Sequence, residues 1–237
     1  MTRPRTRWLY VLLAIVVAAT LAAPTALAQV DQRRLVTSAT VTLASFLADP
    51  DMAWLRQNFG RAKAVMIAPD ITKASIIVGG SRGRAVIVVR DPNSGRWAGP
   101  AFFTLATASI GLQAGIAVSE VVTLVMTEKA VGRLLSSSFR MGGDLAIAVG
   151  PIEAGAQSHF FADLISFSRA QGVYLGVNLD GTVVSTTDDW NQLYYGQRVE
   201  VADILVRMNV YNDQAKELLN VIARAANDST DGRSGKQ

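Results

Sequence analysis

The chain has 237 residues, half of them apolar and 18% charged, enough apolar surface to offset the entropy of ordering and to exclude a disordered or low-complexity chain. It holds no cysteine and a single histidine, His159, which excludes disulfides, thiolate metal sites, cysteine nucleophiles and multi-histidine zinc sites. The formal net charge of +4 becomes +1 (20 bases against 19 acids) once residues 1–28 are set aside, too small a balance for a nucleic-acid binder.

Residues 1–7 carry Arg3, Arg5 and Arg7 and no acid, residues 8–23 are almost wholly apolar, and Ala26 and Ala28 form the A-x-A pattern that precedes signal-peptidase cleavage. The reading is a secretory signal over residues 1–28, cut after Ala28 to leave Gln29 as the new terminus. The product is expected in the periplasm or secreted, at most peripherally associated with a membrane. The alternative is an uncleaved anchor, since residues 8–30 are uncharged and long enough to span a bilayer. Pro24 and the A-x-A site argue against it.

Residues 31–48 read as an amphipathic helix, with Leu35, Ala39, Leu43 and Phe46/Leu47 at three- and four-residue spacing. Asp49-Pro50-Asp51 ends it and starts a short second helix closed by Gly60. The period then changes. VMIA, ASIIVGG, RAVIVVRD and RWAGPAFFTLA are short and rich in Val and Ile, divided by GGSRG and DPNSG, which read as turns of an antiparallel meander. Residues 86–89 are apolar without alternation, as in a strand covered on both faces. SIGLQAGIAVSEVVTLVMT reads as strand, glycine-assisted bend and strand, EKAVGRLLSS as a short helix, and FRMGGDLAIAVGP as one strand ending at Gly150-Pro151. Asp180-Gly181 marks a tight turn in a hairpin-rich stretch. DDWNQLYYG and VEVADILVRM read as short helices. Asn212 or Asp213 caps a last helix with Leu218, Leu219, Ile222 and Ala225 on one face.

The expected fold is α+β, a glycine-punctuated antiparallel β-sheet (meander or barrel-like) with N-terminal and C-terminal helices. Its organisation is a signal over 1–28, a helical segment over 29–59, one α+β domain over 60–227 and a flexible polar tail over 228–237.

Few residues suggest chemistry. A catalytic triad would need His159 beside a serine and a carboxylate such as Asp163 or Asp144, yet no G-x-S-x-G elbow exists and the flanking Phe160 and Phe161 suit a structural histidine. GGSRGR at residues 79–84 could form an anion nest but is no Walker A sequence, and a plain hairpin turn with two solvated arginines reads equally well. Asp188-Asp189 suits a helix start better than a calcium site, with Thr187 or Asp188 as cap. Trp97, Phe102, Phe103, Trp190, Tyr194 and Tyr195 could form an interfacial rim, although aromatics at such spacing usually build core. The charge is uneven. Residues 56–96 hold eight bases against two acids, and residues 97–237 hold ten against fourteen, which points to an anion-facing region near the N-terminal side.

Over residues 60–206 the ordered blocks RAKAVMIAPDITKASIIVGG, RAVIVVR, GRWAGPAFF, GLQAGIAVSEVVTLVMTEKAVGRLL, DLAIAVGP and SFSRAQGVYLGVNLDGTVVSTTDDWNQLYYGQRVEVADIL resemble the SYLF lipid-binding domain family, also known from yeast actin-patch proteins. The units at Gly111–Gly115, Gly150-Pro151, Tyr174–Gly181 and Tyr194–Gly196 carry the resemblance together. It implies a non-enzymatic lipid-binding module. Eukaryotic members bind phosphoinositides and some yeast members bind actin, and lipid binding is attributed to a basic, amphipathic surface near the N-terminal side, here the region of Lys63, Lys73, Arg82 and Arg84. The family's W-S-A-P unit stands here as Trp97-Ala98-Gly99-Pro100, without the serine hydroxyl.

The expectation is a bacterial envelope protein that binds anionic phospholipid or a membrane surface through Lys63, Lys73, Arg82, Arg84, Arg90 and Arg96. No cofactor, metal or nucleic acid is called for, and export makes actin an unsuitable partner. The alternatives are an envelope structural or protein-interaction module and, less well supported, a hydrolase using His159.

Overall fold

The computed structural model describes residues 29–75, 78–110, 115–150, 162–170, 173–174 and 179–234; the expected signal, His159 and the centre of the Gly111–Gly115 unit lie outside them. Helix α1 (Val30–Ala48) leads through a 3-10 turn at Pro50–Met52, whose first amide is capped by Asp49, into α2 (Ala53–Asn58). Four long strands follow, β1 (Ala64–Ser75), β2 (Val78–Arg90), β3 (Trp97–Ile110) and β4 (Gly115–Val125). Then come α3 (Glu128–Leu134), β5 (Ser138–Arg140), β6 (Ile147–Val149), β7 (Leu164–Ala170), β8 (Val173–Tyr174) and β9 (Val183–Thr186). Helices α4 (Asp188–Tyr195), α5 (Val201–Leu205) and α6 (Lys216–Ser234) complete the chain.

These strands form one sheet in the order β5-β9-β3-β2-β1-β4-β7-β6, with β8 paired to β7; only the β6–β7 pair is parallel. The α+β class and the terminal helices agree with the sequence reading. So does the meander for β1 to β3, although β4 leaves it and pairs with β1 on the far side.

Two apolar clusters sandwich the sheet. Val86 and Val88 of β2 face one, built with α1, α2, α4 and α6; Ala85, Ile87 and Val89 face the other, built with α3, β5, Leu179 and α5. All five are buried, as expected of an unbroken apolar run. On α1 the inward stripe is Val36, Ala39, Leu43 and Phe46, and on α6 it is Leu218, Ile222 and Ala226. Asn212 accepts from the Gln214 amide at the turn that leads into α6, as expected of a cap.

Four segments differ from the sequence reading. ASIIVGG is not one strand: Ser75 ends β1 and Val78 begins β2. GGSRG is not a turn: residues 79–83 pair with both β1 and β3 inside β2. FRMGGDLAIAVGP is two short strands, β5 and β6, parted by a turn in which the Asp144 carboxylate accepts from the Arg140 amide at 2.7 Å. The polar tail continues α6 as far as Ser234, because Ser229 is buried there and accepts from the Gly60 amide at 2.7 Å.

Pro69 lies in the middle of β1, a strand flanked on both sides. Lacking an N–H, it cannot join the ladder, and the register shifts around it, between Ile67 and Asp70 against β2 and between Ala68 and Ile71 against β4. This bulge decides which face each later residue of β1 presents. It also needs Gly83 opposite, where a Cβ would come within 2.6 Å of the Asp70 carbonyl oxygen.

Candidate anion-binding cleft

Beyond the bulge, Asp70 pairs with Arg84, Ile71 with Gly83 and Thr72 with Arg82 across the β1–β2 ladder. Directly opposed residues share a face. Arg82 and Arg84 are in step with Val86 and Val88, so they project on the face that α1 covers. The N-terminal half of α1 crosses above them, and Trp190 of α4 closes one side.

The result is a cleft of about 440 Å³ lined by Asp31, Arg34, Leu35 and Ser38 of α1, Asp70, Arg82, Gly83 and Arg84 of the sheet, and Trp190. The Arg84 guanidinium carbon lies 4.0 Å from the centre of the Trp190 ring, a cation–π contact that holds the side chain against the wall. Trp190 is in turn set edge-on to Phe102, with ring centres 5.9 Å apart.

The six cations singled out from the sequence do not share one surface. Arg82 and Arg84 line the cleft. Lys73 is in step with Ile71 and emerges on the opposite face. Arg90, about 20 Å along β2 from Arg84, donates to the Gly60 and Gly95 carbonyls at 3.1 and 3.3 Å and braces a turn. Arg96 sits in that same β2–β3 turn beside Ser94. Lys63, just before β1, forms an ion pair with Glu128 at 3.1 Å. Arg34 is not among the residues the sequence singles out, and Trp190 is singled out only as a possible interfacial aromatic. Their separate signals, a base on the polar face of a helix and an aromatic in a helical run, do not reveal that α1 and α4 meet over β2.

Other candidate groups are committed to structure. The Asp163 carboxylate accepts from Thr127 at 2.7 Å, Lys129 at 2.8 Å and the Ala146 amide at 3.1 Å, which ties the start of α3 to the β6–β7 pair. Burial pushes its pKa up, but these hydrogen bonds outweigh it and hold the carboxyl below the ordinary value. Asp188 and Asp189 begin α4, where acids suit the positive helix end. Thr187 occupies the cap position without capping, its hydroxyl bonded to Thr104 at 3.1 Å. Phe102, Tyr194 and Tyr195 form a chain of edge-on rings inside the molecule, and burial raises both tyrosine pKa values. The Tyr195 hydroxyl donates to the Pro100 carbonyl at 2.9 Å, joining the Tyr194–Gly196 unit to the Trp97–Pro100 unit. Among the described residues, no group of three or more His, Asp or Glu is placed to hold a metal ion, and no helix is long and apolar enough to cross a membrane.

The family model described as "Ysc84: Las17-binding protein actin regulator" matches residues 106–225, just over half of the chain. The chain belongs to the Ysc84 family. Among relatives, the human SH3 domain-containing YSC84-like protein 1 is 26% identical over 178 residues, 73% of this chain and 52% of the relative. The LAS seventeen-binding protein 3 of Saccharomyces cerevisiae (strain ATCC 204508 / S288c) is 28% identical over 152 residues, 61% of this chain and 33% of that protein. The chain thus spans about half the length of the first relative and a third of the second. Within the Ysc84 match lie Trp190 and the Tyr194–Gly196 unit, whereas Arg34, Arg82 and Arg84 precede it.

Proposed function

We propose that this Ysc84-family chain is a non-enzymatic lipid-binding module of the bacterial envelope, and that the α1–β2–α4 cleft receives the phosphate of a phospholipid headgroup. The observation that carries this reading is the convergence of Arg34, Arg82 and Arg84 on one concave site with an aromatic wall. Guanidinium groups match phosphate oxygens in a bidentate geometry. Leu35 and Trp190 supply apolar surface for the glycerol and the first acyl carbons. Anionic membranes would draw the domain in, each nearby base contributing about 1 kcal/mol. Export rests on the basic start, the apolar run and the A-x-A site of residues 1–28. A protein partner is the second reading, favoured by the family's description as a Las17-binding regulator.

Sedimentation of the purified protein with anionic and with uncharged phosphatidylcholine vesicles, at low and high salt, tests the proposal. Binding to anionic vesicles that weakens with salt is expected. Negligible binding in all four conditions would overturn it.

A further inference from the structure

The cleft carries charges of both signs that are not joined in ion pairs. Asp70 is the direct cross-strand neighbour of Arg84, and Asp31 stands one helical turn from Arg34. Both spacings ordinarily bring opposite charges together. Elsewhere such neighbours do pair, Arg169 with Glu120 across two strands and Arg207 with Asp203 four residues apart. In the cleft no ion pair forms among the described residues. Arg84 lies against Trp190 and forms no ion pair with Asp70, and Asp31 and Asp70 join Arg34 and Arg82 in the lining.

We propose that the cleft selects a phospholipid headgroup that bears a primary amine beside its phosphodiester, with Arg34, Arg82 and Arg84 on the phosphate and Asp31 and Asp70 on the ammonium group. This rests on the phospholipid reading above. A site made only for anions would place two carboxylates badly, since each repels a phosphate. A dipolar headgroup satisfies both sets at once. A volume of about 440 Å³ falls within the range of small-ligand pockets and has room for a glycerophosphoethanolamine unit. A primary ammonium offers the carboxylates hydrogen-bond donors, which a quaternary ammonium lacks.

The test is an amide and indole NMR titration of the purified protein with three soluble headgroups: glycerophosphoethanolamine, glycerophosphocholine and glycerophosphoglycerol. All three carry the same phosphodiester, and they differ in the group beyond it. The expected result is shifts around Arg82, Arg84 and Trp190, with glycerophosphoethanolamine bound roughly five-fold more tightly than glycerophosphoglycerol, the scale of one or two exposed charge pairs. Asp31→Asn with Asp70→Asn should erase that preference and bind glycerophosphoglycerol at least as tightly, two repelling carboxylates being gone, which also shows that the variant is folded. Equal affinity for the three headgroups, or a preference that survives the double substitution, would overturn the amine selection and leave phosphate binding standing. No shift in the cleft with any headgroup, together with no sedimentation on vesicles, would overturn both readings.

Discussion

Arg169 of β7 grips Glu120 of β4 with two nitrogens, at 2.6 and 3.0 Å, while the other oxygen of Glu120 accepts from Thr42 of α1 at 2.9 Å. The same guanidinium donates to Ser45 at 2.9 Å and stacks 4.9 Å from the centre of the Phe46 ring, both also on α1. One side chain thus clamps the helix that roofs the cleft onto the sheet that floors it. Arg169 is only 15% exposed, so this network is shielded from solvent more than a surface pair would be. Arg169→Met should lower stability by about 2–3 kcal/mol, because it strands a half-buried carboxylate. Urea unfolding measures this, and a loss of headgroup affinity in the folded variant would accompany it as α1 loosens.

Asn191 is wholly buried, and its side-chain oxygen accepts from the Phe102 amide at 2.8 Å. That amide lies just beyond Phe103, the last β3 residue paired to β9, so the side chain takes the place of a strand partner. Asn191→Ala should cost about 1–3 kcal/mol through the unsatisfied buried N–H. A shift of the urea midpoint at unchanged slope is the expected signature.

Much of the fold is legible in the sequence because packing there follows local pattern. The stripe at Val36, Ala39, Leu43 and Phe46 and the unbroken run at residues 85–89 declare a one-sided helix and a two-sided strand. GGSRG is not legible in this way. Its glycines look like punctuation, but β1 and β3 supply hydrogen bonds on both sides and carry the strand through. The cleft is harder still. Lys73 and Arg82 both look like members of one basic run, yet the parity shift at Pro69 sends them to opposite faces. Nothing local tells that Arg34 and Trp190 arrive from distant parts of the chain.

Two glycines should respond to alanine with opposite signs. At Gly83 the new methyl meets the Asp70 carbonyl at 2.6 Å, so the bulge must open at a cost of about 1–3 kcal/mol. At Gly132, exposed on α3, nothing lies within 4 Å, and alanine should stabilise by about 0.5–1 kcal/mol. Thermal melts of the two variants check the pair.

Asp163 sets an acid limit. Its folded pKa lies below the ordinary 3.8 because the bonds from Lys129, Thr127 and the Ala146 amide favour the charged form over the penalty of burial. The stability it adds is therefore present above the unfolded value and is lost as pH falls through the folded one. Asp163→Asn should be less stable than the native chain at about pH 6, and the gap should narrow below about pH 4. Unfolding titrations at several pH values measure that gap.

Charge reversal at two places on β2 and its surroundings separates binding in the cleft from general electrostatic attraction. Arg82→Glu with Arg84→Glu changes the cleft, whereas Lys63→Glu with Arg96→Glu changes the net charge equally at the other end of the sheet. In sedimentation with anionic vesicles the cleft pair should lose at least about ten-fold in affinity, the scale of two headgroup contacts, and the distant pair should lose far less. Equal losses from both pairs, or no loss from the first, would mean that the α1–β2–α4 cleft is not the phosphate site.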